Sequence, residues 1–172
     1  MSKIVLATRM ASMGESATLA LNARAKQMAA DGKTIYNLTA GELASDTPDY
    51  IQQAVAKTLN QNKYTPVAGL PKLRQQIADD AARNYGLDWI KPANVVVTAG
   101  AKPALHASLQ AIINEGDEVI VPTPSWVSYN NLIELAGGVV VEVPLTDQFD
   151  LDPEAIKSKM TEKTKLVGGL VT

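Results

Sequence analysis

The chain has 172 residues, sixteen basic and eighteen acidic, for a net charge of -2 and an apolar fraction of 46%. This length fits one domain with a sizeable core or part of a larger one, and without a long run of one sign a nucleic-acid footprint or polybasic membrane patch is not expected. There is no cysteine, hence no disulfide or thiolate metal site, and the apolar run Ile4 to Ala7 is too short for a signal core or a membrane span, so a cytoplasmic protein is expected.

Met1 to Met13 has no period and is expected as an extended arm, of the kind that packs on a partner subunit. Residues 15 to 30, alanine-rich with Leu19, Leu21 and Met28, predict a helix. Ile35 to Leu38 predicts a short strand, and Thr39 to Pro48, with Gly41 and Thr47-Pro48, a loop. Ile51, Val55 and Leu59 recur at helical spacing, as do Leu73, Ile77, Ala81 and Tyr85 after Pro71. Two amphipathic helices therefore flank a loop, Lys63-Tyr64-Thr65-Pro66-Val67-Ala68-Gly69.

From Asn94 onward strands and helices alternate. Val95 to Thr98, Glu118 to Val121, Val139 to Val143 and Thr164 to Val167 are short β-branched runs, with helical segments near 102 to 113, 125 to 136 and 153 to 160 between them. Asp152-Pro153 places a capping acid before a first-turn proline. Such alternation requires crossover connections and predicts an α/β fold: an N-terminal arm and helices, then a mainly parallel sheet with flanking helices. No internal repeat, low-complexity tract or flexible linker interrupts it.

The run Val95-Val96-Val97-Thr98-Ala99-Gly100-Ala101-Lys102 turns from strand into helix at Gly100. A helix start offers unpartnered N–H groups and the positive end of the macrodipole, so it can seat an anion; the same glycine reads equally as a tight strand-to-helix turn. Lys102 in the first helical turn is disfavoured by up to about 1 kcal/mol, a conflict that a bound anion would remove. Trp126 and Tyr64, each taken alone, read as packing residues more readily than as parts of a binding site.

Other motifs fail. Gly32-Lys33-Thr34 resembles the end of a phosphate-binding P-loop, but Gln27 stands where the loop glycine is needed, and the Gly100 turn lacks the three glycines of a dinucleotide fingerprint. His106 is the only histidine and has no nearby acids, so it reads as structural, and no metal site is expected.

Taken together, several segments carry a resemblance. Ser16-Ala17-Thr18, Leu38-Thr39-Ala40-Gly41-Glu42, Asp46-Thr47-Pro48, Lys63-Tyr64 through Leu73-Arg74, Val97-Thr98-Ala99-Gly100-Ala101-Lys102, Gly116-Asp117-Glu118-Val119 and Pro122-Thr123-Pro124-Ser125-Trp126-Val127-Ser128-Tyr129 occur in the order seen in class I aminotransferases. The chain most resembles the bacterial aspartate aminotransferase type, from about Met10 to Lys165. The resemblance implies pyridoxal 5'-phosphate on a fold-type-I scaffold, with residues 1–45 as arm and substrate-loop segment and residues 46–172 as part of the cofactor-binding large domain. It implies that the backbone at Gly100, Ala101 and Lys102 cups the cofactor phosphate, that Trp126 stacks on the pyridine ring, and that Tyr64 reaches the phosphate of the other subunit of a homodimer. Gly41 is implied beside the substrate carboxylate, and Thr18 in a segment closing over the site. The implied substrates are an amino acid and a 2-oxo acid; no nucleic-acid or membrane partner is expected.

Departures bear on activity. Where the family usually reads Gly-Glu-Pro-Asp-Phe, this chain has Gly41-Glu42-Leu43-Ala44-Ser45, losing a rigid turn and an aromatic. After Thr164-Lys165 the family runs into an Asn-Pro turn, whereas none of the nine prolines here follows an asparagine. Transamination requires a Schiff-base lysine, an acid on the pyridine nitrogen and an arginine for the substrate carboxylate. The family places all three beyond position 172, and neither Lys102 nor Lys159 stands in a comparable context, so no catalytic residue is assigned. The expectation is the N-terminal portion of a truncated aminotransferase, inactive alone. The alternative is a non-catalytic module that binds pyridoxal phosphate or another anion, or dimerises; an unrelated nucleotide-binding α/β protein is disfavoured by the missing glycines.

Overall fold

The computed structural model describes residues 5–10, 17–39, 41, 43 and 45–168. The elements are α1 (Ala17–Ala30), α2 (Asp49–Thr58), α3 (Pro71–Tyr85), α4 (Ala101–Ile112), β1 (Glu118–Thr123), α5 (Ser128–Leu135), β2 (Val139–Pro144), α6 (Pro153–Lys159) and β3 (Thr164–Val167), with short 3-10 turns at Thr8–Met10 and Pro92–Asn94. Contacts divide the chain into two compact units, Gly14–Thr65 on the one hand and Met1–Met13 with Pro66–Thr172 on the other. Among the described residues no helix is long and apolar enough to cross a membrane.

The larger unit is α/β, with a parallel sheet in the order β2-β1-β3. β1 is central because its side chains are apolar on both faces: Val119, Ile120 and Val121 are at most 1% exposed, the near-continuous apolar run that a covered parallel strand requires. Val119, Ile120 and Val121 lie opposite Val140, Val141 and Glu142 of β2. On the other side the register slips between Glu118 and Val119, which face Thr164 and Leu166, so Lys165 bulges out. Leu109 of α4, Ile113 just after it, and Tyr129, Leu132 and Ile133 of α5 close one face of β1 and form the core.

Local chemistry sets the element ends. Pro71 opens α3, and Gly86, at φ 67°, closes it by donating its N–H to the Ala81 and Ala82 carbonyls. The Asp152 carboxylate accepts the Glu154 and Ala155 N–H groups at 3.0 Å each ahead of Pro153, the cap expected from sequence. In the turn from α4 to β1 the Asp117 carboxylate accepts the Asn114 backbone N–H at 2.8 Å and its side-chain amide at 3.3 Å. That backbone bond chiefly holds Asp117 below its ordinary 3.8, against partial desolvation and with help from the Asn114 amide and Lys165.

Four expectations are corrected. Val95 to Thr98 is extended but belongs to no sheet: among the described residues its one backbone bond to another segment runs from the Val97 N–H to the Ala68 carbonyl, 3.0 Å. Ile35 to Leu38 is no strand either; Tyr36 and Leu38 are exposed, and the Asn37 side chain accepts the Thr39 N–H and hydroxyl in a local turn. The apolar stripe of α3 faces inward only at Ala81: Leu73, Ile77 and Tyr85 are exposed, while Arg74, Ala78 and Ala82 lie with Ala81 on the covered side. Nor is the N-terminal arm wholly extended, since Thr8–Met10 forms a turn that packs on α5 of its own chain. In the smaller unit, α1 and α2 form where the periodicity predicts, yet Ile51, Val55 and Leu59 of α2 are exposed.

Candidate functional site

The site is built on the turn into α4. Gly100 is its N-cap, at φ 96° and ψ 173°, a conformation that only glycine adopts readily. Its own N–H is turned back to the Thr98 carbonyl at 2.8 Å, and the Thr98 hydroxyl donates to the Gly100 carbonyl at 2.7 Å. The turn is thereby closed on itself. No side chain caps α4, and Pro103 has no N–H, so the donors left at the helix start are those of Ala101 and Lys102, both exposed. A Cβ placed on Gly100 would meet nothing within 4 Å, so the space beside the turn is open.

β1 delivers the aromatic partner. After Thr123 a cis peptide leads to Pro124, and the chain reaches Trp126 just before α5. The indole is 41% exposed. Tyr129, buried in the core, meets it edge-on with ring centroids 5.3 Å apart, and the Lys102 ammonium lies 4.9 Å from the indole centroid. Lys102 in the first turn of α4 and the ring that follows β1 are therefore in contact, although the rest of α4 and all of β1 lie between them in sequence.

Two residues without an assigned role in the sequence hold this turn in place. Arg74 of α3 donates its Nε to the Val95 carbonyl at 2.8 Å and an η nitrogen to the Pro92 carbonyl at 2.5 Å. Gly69, at φ 101°, lies against Val97, whose side chain would stand 2.7 Å from a Cβ there. Arg74 and Gly69 thus substitute for the missing ladder beside Val95 to Thr98. Both fall in the most specific part of the motif, the Tyr64 to Arg74 stretch, which was the available signal. Arg74→Met is expected to cost about 2 kcal/mol, because two charge-assisted bonds are lost, and Arg74→Lys should not restore it, since an ammonium has its donors on one nitrogen and lacks the planar pair of separated donors that meets these two carbonyls. Urea unfolding checks this; a loss under about 0.5 kcal/mol would exclude Arg74 as the clamp.

The remaining expected residues are placed as follows. Gly100, Ala101, Lys102 and Trp126 come together in the larger unit. Tyr64, Gly41 and Thr18 belong to the smaller unit: Tyr64 and Gly41 are exposed, and Thr18, in the first turn of α1, is half-buried. His106 lies half-buried on α4, its Nδ1 shielded and with no hydrogen-bond partner among the described residues. Among the described residues no three His, Asp or Glu side chains group as a metal site.

A seat with free amide donors beside an exposed indole fits a group that carries both a phosphate and an aromatic ring. The model of the family "Aminotransferase class I and II" matches residues 33–168. An aspartate aminotransferase of Geobacillus stearothermophilus is 46% identical over 166 residues, covering 94% of this chain and 42% of that protein. Among solved structures, aspartate aminotransferase from Thermus thermophilus with maleate superposes at a TM-score of 0.90 with 42% identity, over 96% of this chain and 44% of that one. An alanine aminotransferase from Pyrococcus furiosus superposes at 0.85 with 29% identity, over 94% of this chain and 43% of that one. The chain thus spans about two fifths of the length of these relatives and corresponds to their N-terminal part. With the match extending over most of its length, the chain belongs to the class I and II aminotransferase family.

Proposed function

We propose that this chain is the phosphate-seating and ring-stacking part of a pyridoxal-phosphate-dependent aminotransferase of the aspartate type, moving an amino group between an amino acid and a 2-oxo acid in the cytoplasm. The observation that carries the reading is the contact between the Lys102 side chain and Trp126, which sets the free N–H groups of the Gly100 turn beside an exposed aromatic face. Ala101 and Lys102 donate backbone N–H groups to the phosphate, where the helix start favours negative charge. Trp126 offers the ring face opposite the Lys102 ammonium to the pyridine ring and shields it from water. When bound, the cofactor supplies the electron sink for amino-group transfer. Gly41 and Thr18 border the substrate, and Tyr64, with its side chain fully exposed, reaches the phosphate of a second subunit in a homodimer.

Chemistry on the substrate needs groups that these residues do not provide. The Lys102 ammonium lies over an indole, and Arg74 is committed to backbone carbonyls. The chain by itself therefore holds the cofactor without turning it over. Titration with pyridoxal phosphate, followed by absorbance, is expected to give saturable binding that inorganic phosphate competes away, with no transfer from aspartate to 2-oxoglutarate. Absence of saturable binding would overturn the cofactor assignment, and turnover by the purified chain would overturn the division of labour.

A further inference from the structure

Lys102 stands where a helix least favours a cation. It is exposed in the first turn of α4, beside the positive end of the macrodipole, and no acid caps that turn. What the structure places against its ammonium is the face of Trp126, 4.9 Å from centroid to Nζ. A cation over an indole is attracted by the negative ring face, most strongly for tryptophan. The indole is held from a second direction by the buried Tyr129, edge-on at 5.3 Å. With both neighbours in place Trp126 is still 41% exposed, and the Lys102 ammonium is the contact that reaches it from the α4 side.

We propose that Lys102 is a positioning residue: its side chain fixes the Trp126 indole while its backbone N–H faces the phosphate, so that one residue sets the spacing between the two halves of a site for an aromatic phosphate ester. The proposal rests on the pyridoxal phosphate reading for its ligand, but the Lys102–Trp126 pairing stands on geometry alone. Helix electrostatics give the opposite expectation for a merely structural lysine. Removing a cation from the first turn should leave α4 as stable or more so, whereas removing a positioning group should loosen the ring and weaken the ligand.

The test uses the full chain in a Trp89→Phe background, Trp89 being exposed, so that Trp126 is the sole tryptophan reporter. Lys102→Met and Lys102→Arg are compared by Trp126 emission and anisotropy, and by titration with pyridoxal phosphate and with inorganic phosphate. Lys102→Met is expected to change Trp126 emission, lower its anisotropy and weaken pyridoxal phosphate roughly 3- to 10-fold, with inorganic phosphate weakened less; Lys102→Arg should restore both signals, because a guanidinium also stacks on indole. Unchanged emission and anisotropy in Lys102→Met would overturn the proposal, as would pyridoxal phosphate affinity within twofold of the parent. If the parent itself binds no pyridoxal phosphate, the cofactor reading fails, and the emission and anisotropy of the variants still decide whether Lys102 positions Trp126.

Discussion

Gly69→Ala is expected to destabilise the sheet-bearing unit by about 2 to 6 kcal/mol, from about 1 to 3 of backbone strain and a similar overpacking cost. The residue sits at φ 101°, where an L side chain is strained, and its new Cβ would lie 2.7 Å from both Cβ and Cγ2 of Val97. Val97 cannot withdraw without breaking its N–H bond to the Ala68 carbonyl, which is also the bond that fixes the extended segment leading to Gly100. The comparison is Gly86→Ala, at φ 67° with nothing within 4 Å, which carries backbone strain alone and should cost about 1 to 2 kcal/mol. Denaturant midpoints at unchanged m-value measure both. Equal losses at the two positions would show that Val97 gives way and that the Gly69 contact does not clamp the segment.

Gly100→Ala should act on binding more than on packing. The added methyl meets no atom within 4 Å, yet φ 96° with ψ 173° is a region held almost only by glycine, at a cost of about 1 to 3 kcal/mol for other residues. The turn relieves that strain by rotating, which carries the Ala101 and Lys102 N–H groups away from a common anion. Since about 1.4 kcal/mol is tenfold in affinity, pyridoxal phosphate and inorganic phosphate are both expected to bind about tenfold more weakly or worse. Titration of the variant against the parent checks this, with circular dichroism to confirm that α4 persists. Undiminished affinity for both ligands would remove the turn from the site.

How far the sequence could be read depended on whether each signal was local. The Asp152 cap and Pro153 were legible because a cap is made by residues two and three positions away, and the structure closes those bonds. β1 was legible from its unbroken apolar run, which only a strand covered on both faces tolerates. Val95 to Thr98 looked equally strand-like, but a ladder needs a neighbour, and β-branched side chains do not supply one. In α3 the spacing of Leu73, Ile77, Ala81 and Tyr85 gave the right helix, but of these only Ala81 lies on the covered side with Arg74, whose bonds to two distant carbonyls no local spacing announces.

The candidate site divides along the same line. Residue order alone determined that a glycine turn opens α4, that a tryptophan follows β1, and that the motifs belong to an aminotransferase. Only the tertiary structure decided that Gly100 turns its own N–H to Thr98, that Lys102 lies over Trp126, and that Gly69 and Arg74 brace the approach to the turn. The physical reason is one of range. Helix starts, caps and apolar periods are set by bonds and torsions within a few residues, whereas the partner of a carbonyl, an ammonium or a ring face is chosen among groups that the chain brings together only when it folds.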